Sequence, residues 1–108
     1  MYPAKEDQYV LTTDASGVAV GAMLSSQRGP IGFFSQQLKG AELNYSTYDK
    51  ELLAVFKAVN HFEWLLFGRQ FKLRVDHKPL LHMFSTSSKC ERRRRQIEFL
   101  STFEIFIE

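Results

Sequence analysis

The chain has 108 residues, enough for one domain over 1–108 with a single modest core, and its 44% hydrophobic and 14% aromatic content excludes a disordered chain. One cysteine, Cys90, excludes a disulfide framework and a cysteine-based zinc motif and fits a reducing compartment. No apolar run is long enough to span a bilayer and no charged-then-apolar leader follows Met1, so a soluble intracellular protein with no membrane partner is expected; the net charge of +2 is too small to argue nucleic-acid binding from its total.

Gln8 to Asp14 carries Tyr9, Val10, Leu11 and paired threonines, a composition that suits a strand. After Gly17, Val18 to Ser25 reads as a second strand, and Gln27, Arg28, Gly29 and Pro30 punctuate a turn before a third strand at Ile31 to Ser35. Three short strands in succession predict an antiparallel meander. From Ser46 the period changes: Leu52, Val55, Val59, Phe62 and Leu66 recur at helical spacing, and Gly68 is placed to end one long helix.

Phe71, Leu73 and Val75 then alternate with Lys72, Arg74 and Asp76, a half-buried strand with Asp76 at its end. Pro79 stops that strand. Leu80 to Phe84 reads as a short helical turn, Ser85 to Lys89 as a polar loop, Glu91 to about Thr102 as a second helix, and Phe103 to Ile107 as a last strand. Helices between strands allow the fourth and fifth strands to run parallel to the first through right-handed crossovers, which makes the sheet mixed and the class α/β.

Three acids stand out: Asp14 in TTDAS, Glu51 in YSTYDKELLAV and Asp76 in KLRVDHKPL, two at strand ends and one at a helix start. Carboxylates from separate elements suit magnesium, which takes oxygen ligands and leaves room for water and phosphate oxygens. Two such ions cut a phosphodiester without a nucleophilic side chain, and no Ser, His and Asp grouping announces itself. Each acid also has a plainer reading, Asp14 and Asp76 as turn residues and Glu51 as a partner of the helix macrodipole. Ser46 followed by Asp49 is a variant capping box, and Asp49 lies about 200° around the helix from Glu51, so Asp49 is assigned to capping and Glu51 to the metal.

The succession TTDAS, VGAMLSS and PIGFFSQQLKGAELNYSTYDKELLAVFKAVNHFEWLLFGRQFKLRVDHKPLLHMF resembles the ribonuclease H domain of gypsy-type long-terminal-repeat retrotransposon polyproteins, downstream of reverse transcriptase. The resemblance covers nearly the whole chain and rests on TDAS, the NYS-to-KELLAV segment and the DHKPL block. It implies a ribonuclease H-like fold with a mixed five-stranded sheet, three antiparallel strands then two parallel ones, and flanking helices. It also implies cleavage of the RNA strand of an RNA·DNA hybrid with two Mg2+ ions, Mn2+ being an alternative. Asp14, Glu51 and Asp76 match the family's ligating acids, with Glu51 also holding water near the attacked phosphate.

Ser16, Asn44 and His77 are candidates for contacts to the hybrid, whose RNA strand is recognised through its 2′-hydroxyls, although each also serves as a cap or turn residue. Arg92 and Arg95, within the run Arg92 to Arg95, are candidates for phosphate contacts, yet cations at a helix start oppose the macrodipole and four in a row point around most of the helix. The aromatics Phe56, Phe62, Trp64 and Phe67 are expected to pack in the core more than to stack on bases, with Trp64 partly exposed. The family continues into a final helix with a fourth acid, which this sequence lacks; Glu104 and Glu108 do not match it. The expectation is therefore a domain without its C-terminal helix, either a nuclease fused to reverse transcriptase or a non-catalytic remnant acting as a spacer or nucleic-acid-binding module.

Overall fold

Alternation of buried and exposed side chains produces the strands that organise the molecule, β1 (Tyr9–Ala15), β2 (Ala19–Ser26), β3 (Gly29–Gln37), β4 (Gln70–Arg74) and β5 (Glu104–Ile107). The computed structural model describes residues 8–75 and 90–108. The expected helical turn at Leu80 to Phe84 and the loop at Ser85 to Lys89 lie outside the described residues. Sheet order is β3-β2-β1-β4-β5; β1, β2 and β3 pair antiparallel, and β4 pairs parallel with both β1 and β5. This is the mixed sheet expected from the sequence.

The third strand is longer than the apolar run Ile31 to Ser35 and takes in Gly29 and Pro30. A two-residue turn at Gln27 and Arg28 suffices, because Gly29 adopts φ 121° and the ladder slips between Leu24 and Ser25. Pro30 is tolerated because β3 is an edge strand, where a missing N–H has no neighbour to disappoint.

α1 (Thr47–His61) begins where Ser46 accepts the Asp49 backbone N–H at 3.2 Å, and it buries Leu52, Val55, Ala58 and Val59 against Tyr9, Leu11, Leu24, Phe71 and Leu73 of the sheet. Burying each Leu or Val contributes about 1.5–3 kcal/mol. The single helix expected as far as Gly68 is instead two. It breaks at Phe62 (φ −98°, ψ 17°) and a short α2 (Glu63–Leu66) follows, ended by Gly68 at φ 76°. Phe62 seats its ring over Gly32 of β3, where a β-carbon would stand 2.9 Å from the ring edge. A 3₁₀ turn over Gly40–Asn44, unforeseen from the sequence, leads into α1 and is tied to it by a 3.2 Å ion pair between Glu42 and Lys57.

α3 (Glu91–Leu100) packs on α1 and buries Gln96 and Leu100. Its end is sealed by Ser101 Oγ donating to the Ile97 carbonyl and Thr102 Oγ1 to the Phe99 carbonyl, both 2.7 Å, two residues before the expected limit. The other face of the sheet, where register aligns Thr12 with Met23 and Phe33 and Val10 with Lys72 and Phe106, leaves Phe33 and Phe106 exposed. Among the described residues, no helix is long and apolar enough to cross a membrane.

Candidate active site

Asp14 occupies the last turnward position but one of β1, opposite Gly21 of β2. Strand alternation buries Tyr9, Leu11 and Thr13 and leaves Asp14 exposed, with Oδ1 accepting the Ala15 backbone N–H at 2.9 Å. The second Asp14 oxygen remains available to the end of the sheet. Ser16 closes the turn that follows: its Oγ accepts the Val18 and Ala19 backbone N–H groups at 3.3 and 3.0 Å and donates to the Ala19 carbonyl at 3.3 Å.

Glu51 lies on the second turn of α1 and is 7% exposed. Two contacts bring that turn to the Asp14 end of the sheet. Lys50 Nζ donates to the Gly17 carbonyl at 2.9 Å, and Ala15 and Val20 pack with Leu53 and Ala54. Asp14 and Glu51 therefore approach the same end of the sheet from two elements.

Asp49, also 7% exposed, has other work. The expected capping box is half present: Ser46 accepts the Asp49 N–H, but the Asp49 carboxylate is directed across to α3. Arg93 donates to it through Nε and, at 2.9 Å, through Nη2; Arg92 Nη2 stands 3.3 Å from Oδ2, and the Ser46 hydroxyl donates at 3.0 Å. Arg93 holds the Asp49 carboxyl below its ordinary range, against the opposing effect of partial burial, with Ser46 and the charges of Arg93 and Arg92 adding to the shift. The Arg92 and Arg93 guanidinium groups also lie 4.0 and 5.2 Å from the ring centroids of Tyr45 and Tyr48. These partners supply the structural benefit that cations at a helix N-terminus lack from the macrodipole. The bond across α1 and α3 was missed from the sequence, although Arg93 shares a helical stripe with the buried Gln96 and Leu100 and that spacing is legible.

Of the other expected contact residues, Asn44 is exposed at the end of the 3₁₀ turn that enters α1, and Arg95 is exposed and paired with Glu91 at 2.9 Å, one turn away on α3. Arg92 belongs to the Asp49 cluster. Asp76 and His77 lie outside the described residues. Phe62 is buried and Phe56 half-buried as expected, but Phe67, placed in the core from its spacing, is 67% exposed because it follows the end of α2. Trp64 is 76% exposed.

Among the described residues, no group of three His, Cys, Asp or Glu side chains forms a metal-binding cluster. Asp14 and Glu51 nevertheless offer only carboxylate oxygens, the donors that a hard divalent cation takes.

Comparison with known proteins bears on the family and the fold. The family model for the RNase H-like domain found in reverse transcriptase matches residues 4–103. The chain is 51% identical over 78 residues to the retrovirus-related Pol polyprotein from transposon 297 of Drosophila melanogaster, a match covering 72% of this chain and 7% of the polyprotein. It is 36% identical over 106 residues to the transposon Tf2-3 polyprotein of Schizosaccharomyces pombe, covering 92% of this chain and 8% of that protein. The chain thus spans less than a tenth of the length of these relatives. Among solved structures, a foamy viral protease-reverse transcriptase in complex with dsDNA superposes with a TM-score of 0.79 at 18% identity, over 98% of this chain and 24% of that one. The RNase H1 of Halobacterium salinarum NRC-1 gives 0.65 at 17% identity, over 94% of this chain and 81% of the other. At these identities the superpositions speak for the fold, which is ribonuclease H-like.

Proposed function

Because the chain belongs to the family of RNase H-like domains found in reverse transcriptase, we propose that it is a divalent-metal-dependent endoribonuclease that cuts the RNA strand of RNA·DNA hybrids during replication of a retrotransposon. The observation that carries this reading is the Lys50 to Gly17 hydrogen bond, which ties the helix turn bearing Glu51 to the strand turn that follows Asp14.

In this reading Asp14 and Glu51 hold the metal with Asp76, which follows β4 by two positions in the sequence. Two Mg2+ ions, or Mn2+ in their place, supply Lewis-acid stabilisation of the charge that develops at a cleaved phosphodiester. Asp14 contributes oxygens from a strand and Glu51 from a helix packed on that strand, so neither moves independently of the sheet. Glu51 also accepts a hydrogen bond from the water that attacks the phosphate.

Ser16, Asn44 and His77 contact the hybrid near the cut, where hydroxyl and amide groups read the RNA 2′-hydroxyls in a wide minor groove. Arg92 and Arg95 contribute to phosphate binding, Arg92 from beside the Asp49 cluster and Arg95 from the exposed side of α3. The natural partner in the same polypeptide is a reverse transcriptase domain.

Cleavage of a labelled RNA·DNA hybrid with Mg2+, by the purified chain and by Asp14→Asn, tests the proposal. Cleavage by the unaltered chain that Asp14→Asn loses is expected. No cleavage by a chain that circular dichroism shows to be folded would favour the non-catalytic module instead.

A further inference from the structure

The turn that joins β1 to β2 follows Asp14 directly, and the carbonyls of Gly17, Val18 and Ala19 within it each accept a hydrogen bond. Ala19 takes the Ser16 N–H at 2.8 Å and the Ser16 hydroxyl at 3.3 Å, and Val18 takes the Leu38 N–H at 2.8 Å just past the end of β3. Gly17 differs from both: its donor is a side chain of another element, Lys50 Nζ of α1, at 2.9 Å. Nothing else pins Gly17 by shape. No atom lies within 4 Å of where its β-carbon would stand, and it does not adopt a positive φ, so the residue with the most backbone freedom is held neither by packing nor by an unusual conformation. Ala15 and Val20 do pack on Leu53 and Ala54, but apolar contact is non-directional. The hydrogen bond from Lys50 supplies the direction.

A lysine is otherwise poorly placed at this point of the chain. It stands near the start of α1, where a cation opposes the macrodipole, and it immediately precedes Glu51, so its charge repels any metal ion held there. It is half-buried, and ordering its long side chain costs conformational entropy. Its backbone is fixed as well, the Lys50 N–H donating to the Ser46 carbonyl at 2.9 Å in the first turn of the helix. The side chain therefore reaches from an anchored helix start to the one turn carbonyl that the turn and β3 leave to it.

We propose that Lys50 is a positioning residue: by holding the Gly17 carbonyl it fixes the Asp14 end of β1 against the helix turn that bears Glu51, and so sets the affinity of the two acids for a divalent cation. The inference rests on the metal-dependent reading of Asp14 and Glu51 given above. Lys50 acts through the two acids and takes no part in breaking the phosphodiester. The sign of its effect separates this role from that of a nearby charge. Removing a cation that only repels the metal tightens metal binding, whereas removing one that aligns two ligands loosens it.

The experiment measures Mn2+ binding to the purified chain without nucleic acid, from the electron paramagnetic resonance of the free ion, and backbone amide exchange by NMR in EDTA. Lys50→Met is expected to weaken an Asp14-dependent Mn2+ site at least about tenfold, as losing a residue that orients a metal ligand does. Lys50→Arg, which keeps N–H donors on a long side chain, should recover most of that affinity. In the metal-free chain the Val18 and Ala19 amides, which donate to Ser16 Oγ, should exchange at least about fivefold faster in Lys50→Met, with a smaller change at Val55 in the middle of α1.

A Mn2+ site that Lys50→Met leaves unchanged or tightens would overturn the proposal, and so would turn amides that keep their native exchange rate. Equal acceleration at Val18, Ala19 and Val55 would do the same, since it marks a lysine that only stabilises the fold. A native chain with no Asp14-dependent Mn2+ site would remove the metal reading itself, and the proposal with it.

Discussion

Arg93 of α3 grips Asp49 of α1 through two nitrogens of its guanidinium, one on each carboxylate oxygen, joining residues 44 positions apart. The Asp49 side chain is 9% exposed and that of Arg93 35%, so the pair is neither a surface ion pair nor a fully desolvated one. Breaking a fully buried pair costs about 3–5 kcal/mol and an exposed one under about 1. Solvent screening at Arg93 places Arg93→Met between these limits, at a loss of about 1–2 kcal/mol in urea unfolding. A loss below about 0.5 kcal/mol would mean that the contact between α1 and α3 rests on apolar packing alone.

Acid should dissolve the same bond. The folded-state pKa of Asp49 lies below its ordinary 3.8, chiefly through the Arg93 hydrogen bond, so the unfolded chain binds the proton first as pH falls. The stabilisation is therefore fully present above the unfolded value and disappears as pH drops through the folded one. Urea midpoints of the native chain and Asp49→Asn should differ by a constant amount above about pH 5, begin to approach one another as pH falls past the ordinary 3.8, and meet only below the folded-state value. A gap that persists to lower pH would place the stabilisation elsewhere than in the Asp49 charge.

Glu51 and Asp49 should separate by phenotype, although both are buried in the first two turns of α1. Losing a partner that only orients a metal ligand costs about 10–100-fold in affinity or activity, and losing a ligand itself costs more. Glu51→Gln should therefore lower Mg2+-dependent hybrid cleavage by more than about 100-fold with an unchanged urea midpoint. Asp49→Asn should lower the midpoint and retain cleavage while folded. Equal loss of cleavage in both variants would refute the division of roles.

Gly32 offers a test of packing. A β-carbon there would sit 2.9 Å from the Phe62 ring, so Gly32→Ala should cost about 1–3 kcal/mol of stability. Phe62→Leu withdraws the ring, and in the double variant the cost of the added methyl should fall below its cost in the native background. A double-mutant cycle with no interaction energy would show that the strand yields instead of the ring.

Much of the fold was legible because local chemistry and tertiary structure agree. Tyr9, Leu11 and Thr13 alternate into the core, and Ser46 starts α1 as its side chain demands. The misreadings fall where a neighbour distant in sequence decides. Spacing alone carried one helix to Gly68, but Phe62 leaves helical geometry where its ring meets Gly32 of β3. Pro30 looked like turn punctuation until β3 proved to be an edge. At the candidate site, the strand-end position of Asp14 and the helix-start position of Glu51 were readable, whereas the bond from Asp49 to Arg93 was not, since no short-range pattern ties a helix start to a run of arginines. Phe67 kept the helical period of a core residue, yet it lies past the last turn of α2, where that period no longer sets a direction.

The parallel pairing of β1 with β4 also orders the events of folding. β1 sits in the middle of the sheet, yet Tyr9 must wait for Phe71, which a ribosome delivers only after β2, β3 and α1 have emerged. During that interval one side of the central strand offers unpaired amides and carbonyls to any other extended chain nearby. Nascent copies growing side by side on one message are thus most exposed to mutual strand pairing before Gln70–Arg74 arrives, and slowing translation between α1 and β4 should raise aggregation more than an equal delay after β5.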